Sequence, residues 1–571
     1  MITNVSYPPD LEWFKSRWNL PAAGIPWVQR FLEAQNSGST ALELPADCRR
    51  ADWGDAAIGV IAGGAVPVAP KPLVLVKHEQ KLFLQSWLLY KAELEIAKSL
   101  CSRLAGTFGV RVEPVQLRRL FPEAAAGDLQ IKAVEVALRQ RLTLITGGPG
   151  TGKTHTLVRI LTMLTEEGIS VSKIHLAAPT GKASDRMKKA IGASIDQLPS
   201  EFQPRVENLK AVAKRCATLH SLLGYNPSSG NCKCDETHPL PCEVLIVDEC
   251  SMVDVLLWRA LLKAVPENAR LILVGDPNQL ESVGQGNVLA EMVRVAGNPE
   301  SPLHDIWVHL TEARRFKDRP GIQALATALE NLDADEAVKL LTEAKGALAP
   351  SGIAWLETDG HALNWSGFPE SIQKALTSVA FAETPREALE ALGRICILTA
   401  QREYFVGSKA MSEAIEKHFT KTATGLKCPN QPVIINQNDP ETGLRNGLVG
   451  VITTDSENVR KAWFPGFKGD SAFQEFSVAQ LPDYSPAWAL TIHRSQGSEF
   501  DEVLVILPRQ ESPMTTRELI YTAITRARKT VYIAGDLESV RKAASNPSTR
   551  ITMTGAHLEA EIRSDTIRTP E

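Results

Sequence analysis

Short apolar runs followed by helical periodicity organise the chain from about residue 113 onward. "LTLIT" (142–146), "IHLAA" (174–178), "VLIVD" (244–248) and "LILVG" (271–275) are strand-like runs that end in glycine or acidic residues. Runs of this kind separated by helices predict a buried parallel sheet. After the first run, Leu157, Ile160, Leu161 and Leu164 recur at the spacing of one buried helix face, which ends near Gly168. "ICILTA" (395–400), "EVLVILP" (502–508) and "TVYIAG" (530–535) predict a second α/β sheet. Between them, "QPVIINQND", "GLVGVITTD", "RKAWFP" and "FQEFSVAQL" (431–481) are short β-like runs joined by turn residues, which predict a small β-barrel insertion.

Residues 1–112 read as a separate module. "PLVLV" (72–76) and "KLFLQ" (81–85) predict a hairpin, and Leu88, Ala92, Ile96, Leu100 and Leu104 then fall at helical spacing. That helix either fills a small core or offers a face to a partner subunit. The expected organisation is an N-terminal partner-docking domain (1–112), a first α/β domain (113–310), a second (311–430 and 486–545) interrupted by the β insertion (431–485), and a polar tail (546–571) that frays.

Composition changes this picture little. A chain of 571 residues has ample core, and 44% hydrophobic with 22% charged residues is ordinary for a globular protein. A net charge of −4 gives no global basic field, so any nucleic-acid contact must come from local groups. The polar, proline-broken start "MITNVSYPPDLEWFKSRW" does not read as a signal peptide, and no apolar run suits a bilayer, so no membrane association is expected. Nine cysteines, an odd count, fit reduced thiols and a cytoplasmic location better than a disulfide framework.

The chemistry starts at "GGPGTGKT" (147–154), which fits G-x-x-x-x-G-K-[ST] between a strand and a helix. Gly147, Gly148, Pro149, Gly150, Thr151 and Gly152 form a loop whose backbone N–H groups can curl around phosphates. Lys153 would reach the β- and γ-phosphates, Thr154 would ligate Mg²⁺, and Thr156 joins the candidate nucleotide set. In "VLIVDECS" (244–251), Asp248 and Glu249 end a strand, where successive side chains diverge. Asp248 would hold Mg²⁺ and Glu249 would orient or deprotonate water. An acidic pair alone is more often a solvated strand end; its place downstream of a phosphate loop gives it catalytic meaning. In "GDPNQLESVG" (275–284), Gln279 is either a γ-phosphate sensor or part of an ordinary polar loop. Arg315 in "LTEARRF" and Arg526 in "YTAITRARKT" are candidate arginine fingers, effective only if two α/β halves close on the nucleotide.

The phosphate loop, "APTGKA" (178–183), "VDECSM" (247–252), "GDPNQL" (275–280), "ARRF" (313–316), "LTIHRSQGSEFD" (490–501) and "YTAITRAR" (521–528) occur in the order of superfamily 1 helicases. Over 113–540 the chain most resembles the RecD type, the alpha subunits of exodeoxyribonuclease V (RecBCD). The resemblance implies two RecA-like P-loop motor domains, an SH3-like barrel, and ATP with Mg²⁺ as cofactors. It also implies 5′-to-3′ movement on single-stranded DNA, unwinding of duplex ends for homologous recombination, and a hetero-complex with RecB-like and RecC-like subunits. Gln130 in "DLQIKAVEVAL" matches the glutamine that reads adenine. Thr180 and Lys182, and less strongly His220, match contacts to the strand backbone; Thr491, His493, Ser495 and Gln496 match the motif coupling the DNA groove to the ATP cleft. Cys250 departs from the small residue expected there, and the N-terminal region resembles the RecC-docking type rather than the longer one of free-standing relatives. An RNA helicase, a free-standing DNA helicase and a non-motor ATP-binding subunit are the competing readings; no nuclease constellation emerges.

One stretch stands apart. "GNCKCDETHPLPC" (230–242) offers Cys232, Cys234, His238 and Cys242, a set Zn²⁺ accepts, but its C-x-C spacing is not that of a C-x-x-C knuckle and disfavours metal. The resemblance implies a strand-separating hairpin at about 224–243, with or without a metal staple.

Overall fold

The computed structural model describes all residues except 1–10, 47, 49, 54–55, 62–70, 110–113, 123–126, 227–228, 313, 317–318, 347–350, 359–362, 423–428, 456, 458, 467–472, 510–514 and 567–571. The head of the N-terminal stretch, Pro227 and Ser228 of the cysteine loop, Ala313 of "ARRF" and the last five tail residues therefore lie outside the described residues. The chain divides into two units: Met1–Pro277 with Glu281–Glu312 and Thr549–Glu571, and Asn278–Leu280 with Ala313–Ser548.

In the first unit a six-stranded parallel sheet runs in the order Trp307–Leu310, Leu142–Gly147, Arg270–Gly275, Val244–Val247, Ile174–Ala178 and Ala217–Thr218. The four runs read from sequence are its four central strands. Helices cover both faces of such a sheet, so these strands are apolar without alternation. The helix Lys153–Glu166 follows the first of them, is buried from Thr156 to Thr165, and stops before Gly168, whose φ of +85° closes it.

A four-stranded sheet precedes it, ordered Ala41–Leu44, Lys81–Ser86, Leu73–His78 and Ala57–Ile61, with the expected hairpin at its centre. Ser86 then caps the helix Trp87–Leu104 by accepting from the Leu89 N–H. On this helix Ala92, Ile96 and Leu100 are fully buried in one core with Leu142, Leu245, Leu273 and Trp258. The expected boundary at 112 is thus not a boundary in packing, and of the two roles open to the helix, core filling describes it.

The tail also departs from expectation. Residues Thr554–Thr566 form a helix packed on Trp87–Leu104, with Ala556, His557 and Leu558 buried. Its anchor is the buried Glu93 carboxylate. One oxygen accepts from Thr40 Oγ1 (3.0 Å), Met553 N (2.9 Å), Thr554 N (3.1 Å) and Thr554 Oγ1 (3.1 Å), and the other from Gln85 Nε2 (2.6 Å). Arg550 adds hydrogen bonds to the carbonyls of Ser282 and Gly284 and an ion pair with Glu281. A polar tail is held here by polar contacts, which composition alone reads as fraying.

The second unit holds a five-stranded parallel sheet ordered Ile353–Glu357, Ala527–Gly535, Phe500–Ile506, Ile395–Thr399 and Ala489–Thr491. The insertion is a five-stranded antiparallel sheet ordered Phe473–Ser477, Arg460–Pro465, Val449–Thr454, Gln431–Ile435 and Tyr484–Pro486. It has its own core of Val433, Ile435, Leu444, Ile452, Ala462 and Phe464. Among the described residues the pairings give this antiparallel order, without one that closes it into the barrel expected. Among the described residues no helix is long and apolar enough to cross a membrane.

Burial pushes the Glu93 carboxyl from 4.5 up to about 7, against the pull of the hydrogen bonds it accepts. The folded chain therefore holds this proton more tightly than the unfolded chain. Its contribution, about 3 kcal/mol at most, is present near pH 4.5 and lost as pH rises through 7. Glu93→Gln is expected to flatten that slope in melting temperatures taken between pH 5 and 8; equal slopes in both proteins would place the proton elsewhere.

Candidate nucleotide site and strand-contact residues

The phosphate loop joins the strand Leu142–Gly147 to the helix Lys153–Glu166. Gly150 and Gly152 take φ of +83° and +89°, the left-handed region that side chains avoid. Gly152 also lies against the Gln130 amide, so closely that a Cβ there would sit 2.1 Å from Gln130 Nε2. Gln130 is buried, donates to the Thr151 carbonyl at 3.0 Å, and places Oε1 3.0 Å from His155 Nδ1. The residue expected to read adenine thus clamps the loop. Thr154 sits half-buried at the first helical turn, and Thr156 is fully buried, donating to the Gly152 carbonyl at 3.0 Å.

Lys153 folds back on the loop, donating to the carbonyls of Gly147 and Gly148. Burial lowers its pKa, while the charges of Asp276, Glu249 and Asp248 raise it, so three carboxylates face one ammonium. Asp248 accepts from the Glu249 N–H at 2.8 Å, and burial, then the Glu249 charge, raises its pKa. Glu249 has φ of +55°, a strained value for a residue with a side chain, and its carboxylate pairs with Arg186 at 3.1 Å. Cys250, the departure noted in the motif, is buried and donates to the Val247 carbonyl; burial raises its thiol far out of the reactive range.

In the second unit, Arg526 is buried and donates to the carbonyls of Thr522 (3.0 Å) and Ser498 (3.3 Å) and to Gln279 Oε1 (2.9 Å). Two of the expected γ-phosphate contacts therefore bind each other. Arg315 pairs with Glu499 at 2.9 Å. Thr180 caps the helix Gly181–Ile195, accepting from Ala183 N, and Lys182 is half-buried in its first turn. His220 is exposed and edge-on to Tyr225. Thr491 caps the short helix Ile492–Ser495 and His493 is half-buried. Ser495 and Gln496 turn inward, to the carbonyls of Ile492 (2.7 Å) and Leu280 (3.0 Å).

Residues 130–285 match the family model described as an AAA domain, and residues 486–534 that of a UvrD-like helicase C-terminal domain. The RecBCD enzyme subunit RecD of Mycolicibacterium smegmatis is 33% identical over 536 residues, 91% of each chain. The chain belongs to the RecD family. The ATP-dependent RecD2 DNA helicase of Deinococcus radiodurans is 29% identical over 431 residues, 73% of this chain and 50% of that one. Among solved structures, the Pif1 helicase from Candida albicans is 16% identical, aligns with 78% of this chain and 100% of that chain, and has a TM-score of 0.38.

Three site residues of this RecD-type helicase escaped the sequence reading: Asp276, Arg186 and His155. Asp276 sits inside "GDPNQL" and is 1% exposed, in a motif from which only Gln279 was singled out. Arg186 follows "APTGKA" by one helical turn and His155 is inside the phosphate-loop helix, where only packing reveals a role.

The cysteine loop takes a different form from that expected. Among its described residues the strand-like pairing is a single bridge, Asn226 to Asn231, and no strand is present between Gly224 and Glu243. Leu240 and Cys242 enter the core of the first unit, with Cys232 and Cys234 packed against it. His238 stays exposed beside Asp235 and Thr237. Among the described residues the grouping compact enough for a metal is His78, Glu79 and Glu559, not these four. Burial raises the pKa of Cys232, Cys234 and Cys242, the last to about 11.

Gly152→Ala would combine a left-handed penalty of about 1–2 kcal/mol with the clash against Gln130. Titration with a fluorescent ATP analogue is expected to show affinity about tenfold weaker or worse. Unchanged affinity would mean that the Gln130 clamp yields without cost.

Proposed function

We propose that this RecD-family helicase hydrolyses ATP at the phosphate loop to move 5′ to 3′ on single-stranded DNA, unwinding duplex ends as one subunit of a RecBCD-type complex. The observation that carries the reading is the grouping of one lysine with three carboxylates beside a glycine-turned phosphate loop, in a chain of this family. The donor set fits Mg²⁺ and a triphosphate: hard carboxylate oxygens, one hydroxyl at a helix start, and backbone N–H groups. Lys153 would leave its loop carbonyls for the β- and γ-phosphates. Thr154 and Asp248 would hold Mg²⁺, which when bound neutralises charge on the phosphates. Glu249 would orient and deprotonate the attacking water, and Arg315, Arg526 and Gln279 would act on the γ-phosphate.

Thr180 and Lys182 are proposed to hold the strand backbone from the first unit, and Thr491 and His493 from the second. His220 is a weaker member of the same set. Ser495 and Gln496, which turn inward, would position that turn rather than touch DNA. Gln130, which clamps the loop, is proposed to read adenine. RecB-like and RecC-like chains are the proposed partners, the N-terminal sheet the proposed RecC-facing surface, the antiparallel insertion an SH3-like module, and the cytoplasm the location.

Lys153→Gln is expected to abolish DNA-stimulated ATP hydrolysis while leaving co-purification with RecB-like and RecC-like chains intact; full residual hydrolysis would sink the site assignment. Chelation of Mg²⁺ should do the same in the unaltered chain. Arg526→Ala should bind nucleotide and lose turnover by about 10³-fold or more, and unchanged turnover removes it from the γ-phosphate. With the three-chain complex, unwinding of a 5′-tailed DNA duplex but not of its RNA counterpart is the expected outcome, weakening as salt rises.

A further inference from the structure

The ion pair between Arg186 and Glu249 has no part in the roles assigned so far. Arg186 lies on the helix Gly181–Ile195, four residues beyond Lys182 and so on the same face. Its guanidinium reaches Glu249 Oε1 at 3.1 Å, with the Arg186 side chain 33% exposed and that of Glu249 13% exposed. The strand Ile174–Ala178, which leads into this helix, pairs directly with Val244–Val247, which ends at the acid pair. The end of the helix proposed to hold DNA and the carboxylate proposed to activate water are therefore two steps apart: Thr180 and Lys182 to Arg186, and Arg186 to Glu249.

An arginine bonded to the carboxylate that must take a proton from water works against that task. It occupies a carboxylate oxygen that the water would otherwise approach and fixes where that carboxylate can lie. Glu249 is also held at φ of +55°, a backbone state that persists only where its surroundings impose it. Both features describe a base in a restrained position.

We propose that Arg186 is a positioning residue that restrains Glu249 in the absence of DNA, and that a strand backbone bound at Thr180 and Lys182 draws the helix and its arginine away, freeing Glu249 for hydrolysis. The restraint makes ATP turnover conditional on DNA. It rests on the function proposed above, because it needs Glu249 as the base and Thr180 with Lys182 as strand contacts.

The test is ATP turnover by the full chain with and without single-stranded oligo-dT. Arg186→Ala is expected to raise the DNA-free kcat about fivefold, the scale of a half-exposed ion pair, with the KM for ATP unchanged. The ratio of stimulated to unstimulated rate should fall by the same factor. Arg186→Lys, which keeps the charge, should restore most of the restraint. A DNA-free rate that is unchanged or lower in Arg186→Ala overturns the proposal. A melting temperature equal to that of the unaltered chain excludes misfolding as the cause. Failure of the underlying function reads differently: Lys153→Gln would then keep full hydrolysis whatever Arg186 does.

Discussion

The left-handed turn at Gly152, packed against the Gln130 amide, fixes where every other part of the nucleotide site can lie. With no room for a Cβ between the two, the helix Leu129–Arg139 and the phosphate loop behave as one piece. Asp128 secures the start of that helix by accepting from the Gln130 N–H at 2.7 Å, and His155 meets the same glutamine from the other side. The loop then delivers Lys153 at the first residue of a helix whose body is buried, so the lysine can move only at its tip. A flexible loop with the same residues would carry the same motif without a defined place for a phosphate.

Around that lysine three carboxylates act together. Asp248, Glu249 and Asp276 approach from the ends of two neighbouring strands, and burial disfavours ionisation of Asp248. Arg186 supplies a second cation, to Glu249. Carboxylate oxygens gathered at one place beside a lysine are the donor set that a divalent ion takes, and the lysine that a phosphate takes. The arrangement is unfavourable for the resting protein in the way that sites built for charged ligands commonly are.

The parts legible from sequence are those where one physical rule acts alone. Central strands of a parallel sheet are apolar on both faces, so "LTLIT", "IHLAA", "VLIVD" and "LILVG" stood out, while Trp307–Leu310, half-exposed at the sheet edge, and the two-residue strand Ala217–Thr218 did not. Glycines that must turn left beside a lysine mark a phosphate loop in any context. The tail was misread because its hold depends on Glu93, 460 residues earlier than Met553, whose value as an acceptor exists only after folding. In the cysteine loop the C-x-C spacing already told against metal, but that Cys242 and Leu240 serve as apolar filling for the first unit's core is set only by packing. Among the arginines, sequence order singled out Arg315 and Arg526 but could not reveal that Arg186 reaches a catalytic candidate, since a helix turn separates it from its motif.

Sheet direction explains why these distant segments meet. In a parallel sheet all carboxyl ends lie along one edge, and loops leaving that edge carry the ligand-binding residues. The phosphate loop leaves Leu142–Gly147, Asp276 follows Arg270–Gly275, the acid pair follows Val244–Val247, and Thr180 follows Ile174–Ala178. These four strands are consecutive neighbours in the sheet. Hence the phosphate loop, Asp276, the acid pair and the proposed strand contacts form a row across one edge, in that order, with no segment needing to reach over another. Arg186 joins the last two positions of the row. A coupling between strand binding and hydrolysis in this unit needs only the small tilt of one helix against its own sheet, which a single side chain can report.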